Sequence, residues 1–163
     1  MATQRPTQQE LLDQLQDDHA LFQKLIGQIS DEDQQVSITP EGWSVKDILS
    51  HTSHVKAATQ KVVVAFTHDQ PLPPVQPWSD EAFEEARQQD KEMSLPDVRN
   101  YWETTHTHLI HITADELDDE KLTEEVRSPW SEDTLVLCDL VTSVCAHDAE
   151  HFELIEQYFE IGK

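Results

Sequence analysis

The sequence predicts an all-α protein, a four-helix bundle with short additional helices in its connections. Three observations carry that expectation. Apolar residues recur at helical spacing along four long stretches. Serine or threonine caps stand where three of those stretches begin. Only 3 glycines occur in 163 residues, too few for a β-rich fold with its tight turns or for glycine-rich phosphate loops. The length predicts one domain, residues 1–163, able to bury a core without metal or disulfide staples.

The first helix opens at Thr7-Gln-Gln-Glu10, a capping box in which each end satisfies an orphan N–H. Leu11, Leu12, Leu15, Phe22, Leu25, Ile26 and Ile29 follow at helical spacing, and the pattern stops near Ser30. A turn-rich link through Thr39-Pro-Glu-Gly42 leads to Trp43 and to Ser44, the expected N-cap of the second helix. Its inner face reads Ile48, His51, Val55, Thr59, Val62 and Phe66. Pro71-Leu-Pro-Pro-Val-Gln-Pro77 excludes helix, and a short polar helix is expected from Ser79 to about Asp90. Ser94-Leu-Pro-Asp97 caps the third long helix, with proline in the first turn. Val98, Tyr101, Trp102, Thr105, Leu109 and Ile112 mark its inner face. After an acidic connector, Asp115 to Glu125, and Ser128-Pro-Trp130, the last helix is expected from Asp133 or Thr134. Its stripe is Leu137, Leu140, Val141, Val144, His147, His151, Leu154 or Ile155, and Tyr158. The connection over residues 67–94 is compatible with up-down-up-down topology or with a crossing of the bundle.

Charge narrows the function. With 33 acidic against 11 basic residues the net charge is -22, and such a surface repels nucleic acid and anionic membranes. No apolar run is long enough to span a bilayer. The segment Met1-Ala-Thr-Gln-Arg-Pro6 lacks the apolar core of a signal peptide, so a cytoplasmic location is expected. Cys138 and Cys145, seven apart on one helix, are separated by roughly 10.5 Å of rise and read as reduced core residues.

Nine histidines remain to be placed. His19, His68, His106 and His111 read as surface residues, His54 as an edge position, and His108 as either inward or at the boundary. His147 and His151, at i and i+4, share one face of the last helix and can bind one ion together. His51 holds the matching inward position on the second helix. Three imidazoles from two helices leave coordination positions open, the pattern of catalytic rather than structural sites. A chance H-x3-H pair and an ordinary hydrogen-bonded core histidine are the competing explanation. Trp102, Tyr101 and Trp78 are candidates for a pocket wall or for plain core packing. Asp148 and Glu150 adjoin the histidines but are phased sideways, and Thr52, Thr105, Thr142 and Ser143 are candidate partners for the imidazoles.

Gly42-Trp43-Ser44-Val45-Lys46-Asp47-Ile48-Leu49-Ser50-His51 resembles the G-W-S/T-v-[KR]-[DE]-i/l-L-x-H signature of the DinB/YfiT-like superfamily. His147-Asp-Ala-Glu-His151 resembles the family's closing H-x3-H, and the likeness runs from about Leu11 to Tyr158. The resemblance implies a bundle binding a divalent metal, nickel or zinc, through His51, His147 and His151. It implies a hydrolase, or a transferase or isomerase dependent on a low-molecular-weight thiol, like the mycothiol-dependent maleylpyruvate isomerases and bacillithiol transferases. The substrate would be a small molecule and the nucleophile metal-activated water or thiolate. A non-catalytic metal- or ligand-binding bundle and a metal-free dimeric scaffold are the alternatives, and homodimers are common in the family. Two departures stand out. Glu84 follows Phe83 where relatives often carry asparagine, and Arg5, Arg87, Arg99 and Arg127 form no evident patch for a thiol's carboxylates.

Overall fold

The computed structural model describes residues 5–162, so Met1 to Gln4, most of the stretch read above for a signal peptide, lie outside the described residues. Helices α1 (Gln8–Gln28), α2 (Val45–Thr67), α4 (Leu95–Asp115) and α5 (Leu137–Phe159) form a four-helix bundle, and α3 (Asp80–Asp90) lies in the connection between α2 and α4. Helix α1 packs against α4 and α5, and α2 packs against the same two. Consequently α1 and α2 face each other diagonally, as do α4 and α5. The long connection over residues 68–94 therefore joins neighbouring helices, and the two shorter links run between diagonal ones. No described helix is long and apolar enough to cross a membrane.

The caps act as the sequence indicates. Thr7 and Ser44 each complete a capping box, with Glu10 and Asp47 respectively, and Ser79 and Ser94 cap α3 and α4. Each cap contributes on the order of 1 kcal/mol.

The last helix begins later than expected. Residues Thr134–Val136 form strand β2, antiparallel to β1 (Glu125–Arg127), with Val126 opposite Leu135. The paired backbone groups of β2 hold those residues extended, so α5 starts at Leu137. Its tail also differs from the predicted stripe. Ile155 is buried, whereas Leu154 and Tyr158 are exposed. Cys138 and Cys145 are free and buried. Burial, with Asp18 and Asp148 nearby, pushes the Cys145 thiol up to about 12, which leaves it unreactive.

The core divides along the helices. At the end near β1 and β2 it is aliphatic, built from Leu11, Val62, Val63, Ile112, Leu137 and Val141 among others. At the opposite end Phe22, Trp102 and Phe152 join Ile48, Leu49 and Ile155.

Candidate metal centre

Two local devices place the histidines. Ahead of α2, Ser37 and Ser44 form a β-bridge, and the Ile38 N–H donates to the Trp43 carbonyl at 2.7 Å. Gly42 turns this chain at φ 89°, a conformation that side chains with a Cβ rarely adopt. The bridge and the capping box fix where α2 begins, and His51 follows two turns later. On α5, His147 and His151 stand one turn apart on the face turned toward α2.

The three imidazoles meet. His51 Nε2 lies 3.1 Å from His147 Nε2, and His151 Nε2 lies 3.2 Å from the same atom. One ligand nitrogen from each ring falls within 4.8 Å of the others. Tetrahedral coordination with metal–nitrogen bonds near 2.0–2.1 Å sets ligand nitrogens about 3.3 Å apart, close to the two short separations. A hydrogen-bond account fits less well, because His147 Nε2 offers either one proton or one lone pair and so makes one well-directed hydrogen bond rather than two. Burial, then the adjacent His147 and His151 rings, lower His51 to about 3. Burial followed by His147 lowers His151 to about 4. Both are neutral near pH 7, the form in which imidazole is a metal ligand.

Aromatic side chains surround the triad. Trp43 and Phe83 meet His51 edge-on at centroid distances of 5.3 and 4.7 Å, and Trp78 meets His147 at 5.6 Å. Trp78 also packs on Trp130 at 4.8 Å. The proline segment carrying Trp78 is tied to the 129 loop by the Gln76 N–H, which donates to the Pro129 carbonyl at 2.7 Å. Of the three aromatics considered as pocket walls, Trp78 thus flanks the histidines and Tyr101 lines the adjoining cavity. Trp102 is wholly buried in the core, stacked on Phe22 at 3.8 Å.

That cavity, of about 220 Å³, opens on His51 and is lined by Ser50, His54, Lys61, Tyr101, Pro74 and Trp130 among others. His54 Nε2 lies 2.5 Å from Asp90 Oδ2, which also accepts from the Ser50 hydroxyl at 2.5 Å. On the ring's other side the Tyr101 hydroxyl is 3.4 Å from His54 Nδ1.

Several expectations need correction. Thr52, Thr105, Thr142 and Ser143 donate to carbonyls of their own helices, three or four residues back, and none of them hydrogen-bonds an imidazole of the triad. His106 is buried, not on the surface. Its ring stacks on Trp102 at 4.5 Å, and its Nε2 lies 2.7 Å from the Leu15 carbonyl. Burial, then the Lys56 charge, lower it to about 4. His19 is half-buried, stacked at 5.8 Å from His106 and paired with Glu103. His108 and His111 are exposed, and His68 pairs with Glu116 at 3.1 Å.

The largest omission is a buried ion pair. Lys56 Nζ and Asp148 Oδ2 lie 2.5 Å apart, with side chains 0% and 1% exposed. Asp148 is phased inward, not sideways. Burial raises its carboxyl, but Lys56 and the neighbouring His147 and His106 outweigh that and hold it below the usual carboxylate range. A helical signal for Lys56 was present, because it falls between Thr52 and Thr59 on the buried face of α2.

The DinB superfamily's sequence pattern matches residues 14–155. The chain belongs to the DinB superfamily. Solved structures agree on the fold. An uncharacterised protein from Escherichia coli UTI89 superposes with a TM-score of 0.76 at 14% identity, over 94% of this chain and 93% of that one. The mycothiol-dependent maleylpyruvate isomerase gives 0.75 at 14% identity over 92% of this chain, which spans 61% of the isomerase's length. YfiT from Bacillus subtilis, described as "a probable metal-dependent hydrolase with an unusual four-helix bundle topology", gives 0.65 at 14% identity over 93% and 85%. None of the curated proteins compared with the sequence matches it. At such identities the likeness of this DinB-superfamily chain to its neighbours is one of fold.

Proposed function

We propose that this DinB-superfamily protein holds one divalent cation, nickel or zinc, on His51, His147 and His151, and hydrolyses a small electrophilic substrate in the adjoining cavity. The convergence of three Nε2 atoms from two helices carries the reading. A divalent ion held by neutral nitrogens supplies Lewis acidity, lowering the pKa of water toward neutrality.

The chain's own residues divide the remaining work. Trp43, Trp78 and Phe83 pack around the rings, fix their orientation and keep bulk water from that side. The cavity gives a substrate access past His51. His54 is held by Asp90, an acceptor when ionised, so the proton sits on Nε2 and Nδ1 is left as the basic atom. Tyr101 donates toward that Nδ1, and the two together are placed to take a proton from a nucleophile or return one to a leaving group. The cavity volume is below the roughly 300–1,000 Å³ usual for drug-sized ligands. That size favours a compact substrate with water over a bulky thiol cofactor.

The test uses untagged protein stripped with chelator, reloaded with zinc or nickel and freed of excess ion. Elemental analysis should find one ion per chain, and none in His147→Ala, whose far-UV circular dichroism should match the wild type. A full complement of ion in that variant would overturn the assignment. The loaded protein, offered small activated esters and lactones, should turn at least one over. Stoichiometric ion without turnover of any would leave a carrier rather than a catalyst.

A further inference from the structure

Burying a lysine and an aspartate together is seldom a gain in stability. The desolvation of both charges consumes most of their attraction, and apolar residues of similar volume do as well or better. The Lys56–Asp148 pair nevertheless sits at the centre of the bundle, with Lys56 Nζ 3.8 Å over the Trp102 ring. What its geometry serves is visible at the other carboxylate oxygen. Asp148 Oδ2 is taken by Lys56, while Oδ1 is buried with no hydrogen-bond partner. His147 Nδ1 is also buried and without a hydrogen-bond partner, and it lies 3.9 Å from that same Oδ1. Two orphaned polar atoms facing each other across such a gap are joined by a slight ring rotation.

We infer that Asp148, clamped by Lys56, is a positioning residue for His147. It accepts the Nδ1–H and thereby holds the ring in the tautomer whose Nε2 lone pair faces His51 and His151. The opposite tautomer would aim the Nδ1 lone pair at a carboxylate oxygen in a buried site. It would also place a proton on Nε2 among two other ring nitrogens. Lys56 keeps the carboxylate from rotating, so the orientation is passed from α2 through α5 to the ring. Carboxylates that accept from a ligating histidine typically strengthen metal binding by 10- to 100-fold. The inference rests on the metal reading above and extends it to the residues behind the ligands.

The experiment has two readouts on purified full-length protein. In metal-free, 15N-labelled protein, long-range proton–nitrogen spectra should show His147 protonated at Nδ1, and Asp148→Asn should shift the ring toward a mixture of tautomers. Zinc affinity, measured by competition with a chromophoric chelator, should fall about 10- to 100-fold in Asp148→Asn. If that variant folds poorly, the double variant Lys56→Met/Asp148→Leu removes both charges at similar volume. It should show the same loss of affinity with helix content retained. An Nε2–H tautomer for His147 in the wild type, or undiminished zinc affinity in a folded variant lacking the carboxylate, would overturn the inference. Absence of zinc binding by the wild type would refute the metal reading instead, with the tautomer spectra still deciding the role of Asp148.

Discussion

Helices α2 and α5 each change character along their length. Beside the two strands, α2 contributes Val62 and Val63 and α5 contributes Leu137, Leu140 and Val141, all buried aliphatic side chains. A few turns along, α2 contributes Ser50, His51, Ser53 and Lys56, and α5 contributes His147, Asp148 and His151. The first arrangement is what burial of apolar surface favours. The second desolvates charges and imidazoles and leaves His147 Nδ1 and Asp148 Oδ1 without hydrogen-bond partners. Every such atom carries a cost of about 1–3 kcal/mol. The aliphatic end of each helix therefore only stabilises the fold, whereas beyond it polar groups share the core with Ile48 and Leu49 on α2 and with Phe152 and Ile155 on α5.

The contrast predicts a double dissociation. Leu140→Ala, at a fully buried aliphatic position, should destabilise by about 2–5 kcal/mol and leave zinc affinity unchanged. Denaturant titration and chelator competition on one preparation measure both. A loss of affinity in Leu140→Ala would mean that the two ends are not separable.

Protons sharpen the same division. His106 is lowered to about 4, so between roughly pH 6.5 and 4 the unfolded chain binds a proton there that the folded chain refuses. Stability from this group is thus lost as pH falls through that window, by about 1.4 kcal/mol per unit. His51 and His151 act in the same direction. Asp18 opposes them. Burial, then Asp148, raise its carboxyl to about 6, so it adds stability at acid pH that is lost as pH rises through about 6. With three groups against one, the metal-free protein should weaken as pH drops from 6.5. His106→Gln should shallow that slope by one proton, and an unchanged slope would contradict the burial of His106.

The smallest effect belongs to His19. It is partly exposed, and its contacts are an ion pair with Glu103 and stacking at the edge of the Trp102 cluster. His19→Ala should cost under about 1 kcal/mol and leave metal content intact, as thermal melts and elemental analysis would report.

What the sequence made legible follows the same division. The helices and their caps were readable because capping boxes are local and apolar stripes repeat every three to four residues. His147 and His151 were visible as an i, i+4 pair, and His51 as a histidine among Ile48 and Val55. The strands were not, since three residues each are too few to display alternation. His106 was misplaced because its burial depends on a stack with Trp102 and on a carbonyl from α1, Leu15. Lys56 and Asp148 were hidden for a related reason. A charged residue on a helix face is ordinarily solvated, and only the partner 92 residues away makes its burial intelligible.

Locating the ion tests the central claim most directly. Crystals of the nickel- or zinc-loaded protein, measured at the metal's absorption edge, should show one anomalous peak per chain, within bonding distance of His51, His147 and His151 Nε2. A peak lodged instead between His54 and Asp90, or none in crystals of stoichiometrically loaded protein, would contradict the account.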